Sequence, residues 1–116
     1  MKYTEPLPIS QGEVTSALAS RAPDVIVDAL IRMSLSELDW EWAERICLIA
    51  LKNDGIKVKA AALRAIGNVA RRFHVLHLDV VLPAIYELRE DANCKGIVDD
   101  VLDDIAIFVR SGNSPA

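Results

Sequence analysis

The chain has 116 residues, a net charge of −4, a 52% hydrophobic share, 5% aromatics, and five residues each of glycine and proline. This length suits a single domain over residues 1–116 that folds without disulfides or a structural metal, and the excess of Ala, Leu, Ile and Val favours helices over sandwiches or barrels. The acidic charge argues against direct nucleic-acid binding. The sequence has neither a signal-peptide core nor about eighteen consecutive apolar residues, so the protein is expected to be cytoplasmic.

The first two helices are indicated by their starting residues. Ser10 and Glu13 form an S-x-x-E capping box, which predicts a helix that ends near Ser20. Pro23 suits the first turn of a second helix, since its missing N–H costs nothing there. Apolar residues at helical spacing continue this second helix until it fades near Leu35.

The third and fourth helices are separated by a tight turn. Asp39 can cap the third helix, and the triplet Asn53-Asp54-Gly55 ends it. The fourth helix runs from Ile56 to about Arg72 and has the strongest helical pattern in the chain. Its wide apolar face consists of Val58, Ala61, Ala62, Ala65, Ile66, Val69 and Ala70.

Two further helices are predicted in the last third of the chain. Asp79 is a reasonable cap for the fifth helix, which runs through Glu90 and tolerates Pro83 because that residue lies in the opening turn. The sixth helix covers about Lys95 to Arg110 and presents a continuous apolar stripe. No stretch of useful length alternates as a strand would.

The helices repeat at a fixed spacing. An offset of about 39 residues is within the range of helical-pair repeats. It aligns Val58 with Ile97, Leu63 with Leu102, and Ile66 with Ile105. The predicted fold is therefore all-α, a short right-handed α-solenoid of about three antiparallel helix pairs, with an extended lead-in over residues 1–9 and a flexible tail over residues 111–116.

Residues 51–69 resemble a HEAT repeat. Asp54 stands in the turn, Val58 is followed by the basic Lys59, and Ile66 precedes Gly67. In this pattern Asp54 can cap the second helix of the pair, and Gly67 admits a neighbouring helix at close range. Lys59 replaces the commoner arginine, and the last pair has lost most of the motif. The resemblance implies that the predicted pairs are HEAT-like.

The whole chain is also similar to small bacterial HEAT-like proteins that have an Asp-Trp-x-Trp helix start and an Asp-Asp-x-Leu-Asp-Asp-Ile ending. The matching segments here are 39–42 and 99–105. Some proteins of that kind are immunity partners of secreted toxins, including contact-dependent growth-inhibition toxins. The resemblance therefore implies an immunity role, but it carries over no functional residues.

Acidic residues are concentrated near the end of the chain. Residues 87–110 contain seven acids and three bases, whereas the central stretch 52–72 contains six bases and one acid. On the sixth helix, Asp99 with Asp103 and Asp100 with Asp104 are like-charge neighbours four residues apart, which costs roughly 0.2 to 0.5 kcal/mol per pair. They are either a solvated face or a docking strip for a basic partner. The two segments predict a solenoid whose charge is polarised along its length.

The two tryptophans cannot share one inward helix face, because Trp40 and Trp42 lie about 200° apart around the axis. One must point outward or lie at the helix end, where it either anchors a partner or seals the core; Tyr86 is a further candidate anchor. The predicted partner-binding residues are Trp40, Trp42, Tyr86, Glu87, Asp91, Asp99, Asp100, Asp103 and Asp104.

No catalytic or metal site is predicted, and no cofactor. Cys47 and Cys94 lie in apolar helical patterns and are expected to be buried free thiols in a reducing compartment. His74 and His77, with Asp79 following, have a spacing that could bind zinc on one helix face, but they straddle a predicted helix boundary.

These features favour a non-enzymatic binding protein. The first hypothesis is an immunity-type inhibitor that covers the functional surface of a basic toxin, such as a nuclease, with its acidic last helices. The alternative is a HEAT-like scaffold that contacts a cellular complex through Lys57, Arg64 and Arg71. A HEAT-like lyase is a third candidate that lacks a recognisable site. The protein is expected to be a monomer or a weak homodimer.

Overall fold

The computed structural model describes residues 7–109, and this part of the chain contains six α-helices and no strand. The helices are α1 (Gln11–Ala19), α2 (Pro23–Ser36), α3 (Trp40–Ala50), α4 (Ile56–Phe73), α5 (Leu78–Tyr86) and α6 (Lys95–Phe108), with a 3₁₀ turn (Glu87–Glu90) before α6. The all-α prediction is confirmed. Most of the predicted lead-in, the end of the sixth helix at Arg110 and the predicted tail lie outside the described residues.

Local capping explains why the first three helices begin where the sequence predicts. Ser10 Oγ accepts from the Glu13 N–H at 3.1 Å, and Glu13 Oε1 accepts from the Ser10 N–H at 3.0 Å. Pro23 is the first residue of α2. Asp39 Oδ1 accepts from the Trp42 N–H at 3.1 Å and caps α3. These caps satisfy backbone donors that the first turn of a helix leaves free.

The predicted cap of α4 is wrong. Gly55 is the N-cap, and no side chain bonds the first turn of this helix. Asn53 is the turn residue that acts instead, since its Oδ1 accepts from the Gly55 N–H at 2.7 Å. Asp54, which lies between these two residues, is exposed and does not bond the first turn of α4.

The predicted bounds of the fifth helix are also wrong. The N–H groups of Val80 and Val81 both bond the carbonyl of His77, so α5 begins before Asp79, which lies in its first turn. An acid in that turn still interacts favourably with the positive end of the helix. The helix stops at Tyr86, and the next four residues tighten into the 3₁₀ turn.

The core is centred on α4, which packs against α2, α3 and α6. Leu63 and Ile66 are fully buried, and the buried alanines of the same helix allow the neighbouring helices to approach. A Cβ atom added to Gly67 would lie 3.0 Å from Asp104 Oδ2 on α6. The close approach predicted at Gly67 is therefore confirmed.

Helices α2, α4 and α6 lie side by side and run in the same direction. Between α2 and α4, Asn68 Nδ2 donates to Ser34 Oγ at 2.9 Å, and Arg72 donates to the Glu37 carbonyl at 2.9 Å. Contacts between α4 and α6 advance in the same sense, from Arg71 with Asp104 to His74 with Phe108. The pairing of the six helices into a HEAT-like solenoid stays a prediction.

None of the helices in residues 7–109 is long and apolar enough to cross a membrane.

Candidate partner-binding surface

The four aspartates of α6 point in two directions. Val98, Val101 and Ile105 are buried and define the inner face of the helix. Asp99 and Asp103 lie on the opposite, exposed face. These two carboxylates are four residues apart, so they present adjacent negative charges to solvent.

Asp104 faces α4 and is already paired. Its carboxylate accepts from Arg71 Nη1 at 2.5 Å and is only partly exposed. Arg71 also donates to Asn68 Oδ1, so its guanidinium is held between α4 and α6. Asp104 therefore stabilises the contact between two helices, and its charge is neutralised there.

Asp100 lies near the same contact. It borders a cleft of about 460 Å³ between α4 and α6, together with Arg64 and Arg71. The predicted polarisation of charge along the molecule stays a prediction, but the structure brings the basic central segment beside the acidic last helix, where Arg71 and Asp104 neutralise each other. The reason is that α4 and α6 are neighbours in the fold although about 33 residues separate their contacting side chains.

The remaining predicted acids belong to the segment between α5 and α6. Glu87 is exposed at the start of the 3₁₀ turn. Asp91 is half-buried and accepts from the Asn93 N–H at 2.9 Å, which stabilises the turn that leads into α6. Glu87 is therefore more available to a partner than Asp91.

The two tryptophans are both half-buried and pack against the core. Trp40 is the first residue of α3, so it occupies the helix end that its spacing from Trp42 predicts. Its ring lies 5.0 Å from the ring of His77, measured between centroids. Tyr86, which is 46% exposed at the end of α5, is the aromatic candidate most open to a partner.

An ionic cluster that sequence analysis missed joins α3 to the start of α5. Glu44 is only 5% exposed, and its two carboxylate oxygens accept from the backbone N–H and from Nδ1 of His77, both at 2.7 Å. Glu41 lies 3.6 Å from His77 Nε2. The hydrogen bond and charge of Glu44, helped by Glu41 and Asp79, raise the pKa of His77 above its ordinary value. The sequence offered one signal for the burial of Glu44: it lies three residues before the inward-facing Cys47, and residues at that spacing share a helix face.

The residue types most often used in catalysis are engaged in packing. Cys47 and Cys94 are buried free thiols, as predicted, and burial raises the pKa of Cys47 to about 12. His74 caps α4 in the left-handed conformation, with Nδ1 3.2 Å from the Phe108 carbonyl. The described residues contain no group of three or more His, Cys, Asp or Glu arranged to hold a metal ion.

An apolar groove between α5 and α6 is the second feature that sequence analysis missed. It has a volume of about 700 Å³. Its lining consists of Leu78, Asp79, Leu82, Tyr86, Leu102, Ile105, Ala106 and Val109. The available signal was α5 itself, whose sequence LDVVLPAIY is apolar on every side except at Asp79.

No protein-family model matches the chain, and no curated protein matches it. A solved structure is similar over nearly its full length: a chain in the crystal structure of the CDI complex from Cupriavidus taiwanensis. The two chains are 31% identical and superpose with a TM-score of 0.81 over 93% of this chain and 97% of that chain. The two chains are therefore similar both in sequence and in fold.

Proposed function

Because the chain belongs to the same family as that chain of the C. taiwanensis CDI complex, we propose that it is an immunity-type protein of contact-dependent growth inhibition. In this role it binds a toxin and covers its functional surface without catalysing a reaction. The observation that carries the proposal is the similarity over 93% of the chain to a component of a CDI complex.

The proposed toxin is a basic protein, such as a nuclease. Asp99 and Asp103 are exposed on the outer face of α6 and form no ion pair within residues 7–109, and Glu87 adds its charge at the neighbouring 3₁₀ turn. A surface of one charge raises the rate at which an oppositely charged partner associates. Nucleases that bind phosphates carry such basic surfaces, which makes them suitable partners.

A binding role without catalysis is supported by how the reactive side chains are used. The buried thiol of Cys47 has a pKa of about 12, which leaves it protonated and inert at neutral pH. His74 bonds a backbone carbonyl, and His77 is engaged by Glu44. Each of these side chains therefore has a structural role.

The HEAT-like solenoid is proposed as the architecture of this binder. The parallel row of α2, α4 and α6 is what the second helices of three stacked pairs would form. Gly67 lies in this row beside the Asp104 side chain of α6, a close contact of the kind that the HEAT-like motif implies. A row of this kind leaves its last member, α6, with one face free for a partner.

The scaffold hypothesis rests on a different surface. Lys57, Arg64 and Arg71 are exposed at seven-residue spacing, so they form one stripe along α4. Asp104 neutralises Arg71, whereas Lys57 and Arg64 form no ion pair with any residue that the structure describes. Reversing the charge of Lys57 and Arg64 would abolish binding to a cellular complex under this hypothesis, and would spare binding to a toxin under the first.

The proposal is tested by affinity capture from the native host at low and moderate salt, followed by mass spectrometry. One basic toxin fragment recovered in equal amount supports immunity, and a multi-subunit cellular complex supports the scaffold hypothesis. If a toxin is recovered, its association rate with the variant Asp99→Asn/Asp103→Asn should fall several-fold and depend less on salt. The matched control Asp24→Asn/Asp54→Asn removes the same net charge from exposed sites elsewhere and should retain the rate.

A further inference from the structure

Helix α5 is a surface helix with the composition of a buried one. Asp79 is its only charged residue, yet only Val81 and Ile85 are buried. Val80 is 51% exposed and Tyr86 is 46% exposed. A helix that is apolar all round normally has a covering on every side, so this part of the surface is suited to a contact that the isolated chain does not make.

The side of α5 that faces α6 forms the groove described above. Helices α5 and α6 approach each other less closely than α3 and α4 do, so their side chains do not close the space between them. Ile105 and Val109 are buried at the groove, and Leu82 and Leu102 are half-buried beside them. The volume of about 700 Å³ is large enough to admit one or two apolar side chains.

The charges beside this groove are mainly acidic. Asp79 belongs to its lining on the α5 side. On the α6 side, Asp99 and Asp103 precede the lining residues Leu102 and Ala106 by three positions, which places them in the neighbouring row of the helix.

Within residues 7–109, two basic residues near the groove lie in a polar recess beyond Tyr86. Arg89 and Lys95 line this recess, together with Glu90. The guanidinium of Arg89 lies 5.8 Å from the centroid of the Tyr86 ring. As far as the described residues define it, the rim of the groove therefore favours cations beside Asp79, Asp99 and Asp103 and an anion at its Tyr86 end.

We propose that the α5–α6 groove is the anchor site for the toxin, and that it receives an apolar side chain flanked by Lys or Arg. The apolar side chain would bury the exposed surface of Leu82, Leu102 and Tyr86, while the flanking cations would meet Asp79 and Asp103. This inference rests on the proposed immunity function and specifies which surface performs it. Central apolar anchors of this kind carry most of the energy of protein interfaces, and the charges at the rim set orientation and rate.

A second copy of the chain is a poorer occupant of this groove. In a two-fold symmetric dimer the patch faces itself, so the acids Asp79, Asp99 and Asp103 of both copies would be brought into one interface with fewer bases than acids. Like charges placed opposite each other across an interface are unfavourable. The groove therefore suits a basic partner better than a homodimer.

The test uses the toxin fragment captured by the wild-type chain, with affinity and rates measured by surface plasmon resonance. Ala106→Arg fills the groove from an exposed position and places a cation where the partner's cations would lie. The matched control Ala19→Arg introduces the same side chain on an exposed face of α1, outside the groove. Ala106→Arg should weaken binding about tenfold or more, mainly through faster dissociation, while Ala19→Arg stays within about twofold.

A second pair of variants tests the anchor itself. Tyr86→Ala removes the ring that lines the groove, and Tyr86→Phe retains it. We expect Tyr86→Ala to weaken binding by roughly fivefold or more and Tyr86→Phe to remain close to wild type. Thermal unfolding of each variant, monitored by circular dichroism, verifies that the fold is intact.

Each outcome separates this inference from the proposed function. If no toxin is captured by the wild-type chain, the immunity function itself is contradicted. If the wild type binds a toxin and Ala106→Arg binds it equally well, the groove is not the anchor site while the immunity function stands. A free wild-type chain that sediments as a dimer and becomes monomeric in Ala106→Arg would assign the groove to a second copy, and would overturn the proposal.

Discussion

Replacing His77 with alanine tests the cluster that joins α3 to α5. The substitution removes the imidazole bound to Glu44 at 2.7 Å and leaves a carboxylate that is only 5% exposed with the His77 backbone N–H as its remaining partner. A buried charge that loses a partner is costly, because the desolvation of the carboxylate is no longer offset by the lost bond. The native state is therefore destabilised.

The expected loss follows from the geometry of the pair. A hydrogen bond to a charged group contributes about 1.5 to 3 kcal/mol. The side chain of His77 is 48% exposed, so solvent screens part of this interaction. We therefore expect His77→Ala to lower the free energy of unfolding by about 1 to 2 kcal/mol, which corresponds to a fall in Tm of roughly 4 to 8 °C for a domain of this size.

The pH dependence of this loss has a definite sign. The hydrogen bond and charge of Glu44 raise the pKa of His77 above 6.5, so the folded protein binds this proton more tightly than the unfolded chain. The resulting stability is fully present below about pH 6.5 and is lost as the pH rises through the raised pKa of the folded state. The difference in stability between wild type and His77→Ala should therefore be largest near pH 6 and decrease toward pH 9.

Urea denaturation at a series of pH values measures this difference. The variant Glu44→Gln retains an acceptor for the His77 N–H but lacks the charge. In that background, His77→Ala should lower the free energy of unfolding by less, and this loss should depend little on pH. His74→Asn, which removes the other imidazole and suits the left-handed backbone there, should retain the pH dependence of the wild type. The reasoning is refuted if His77→Ala has the same effect at pH 6 and pH 9, or if the pH dependence survives in Glu44→Gln.

Three further predictions concern the core. Gly67→Ala should be more destabilising in the wild type than in an Asp104→Ala background, since the added Cβ would lie 3.0 Å from the Asp104 carboxylate; urea denaturation of the four combinations measures this coupling. The thiol of Cys47 should not react with Ellman's reagent at pH 8 until the protein is unfolded, and fast labelling of the native protein would contradict its burial. Leu63→Ala should lower the free energy of unfolding by about 2 to 5 kcal/mol, because it opens a cavity in the core around α4. Leu38→Ala, at an exposed position, should change the free energy of unfolding by no more than about 0.5 kcal/mol.

Helix starts could be predicted from sequence where the signal lies within one turn. Ser10 and Glu13 satisfy each other's backbone N–H groups whatever the rest of the chain does, and Pro23 has its backbone angle fixed before folding. The cap of α4 was predicted wrongly, although that helix begins at Ile56 as expected, and the start of α5 was also predicted wrongly. At α4 the side chain of Asn53, and not that of Asp54, bonds the backbone, and only the geometry of the folded turn decides between them.

The acidic composition of α6 predicted a candidate surface, and the packing of α6 against α4 then decided which of its aspartates belong to that surface. Sequence placed four aspartates on α6, and helical periodicity alone separates the pair 99/103 from the pair 100/104. That Arg71 neutralises Asp104 could not be read from the pattern, because the two residues are 33 positions apart. The same separation hides the partnership of Glu44 with His77.

The sequence by itself determined that this protein is helical, where most of its helices begin, and that an acidic segment ends the chain, because caps, apolar periodicity and charge act over a few neighbouring residues. Only the tertiary structure decided which charges remain free, which carboxylate is buried, and that α5 and α6 leave an apolar groove between them. These properties depend on distances between helices. Such distances are set by the packing of the whole core around α4 and not by any local pattern.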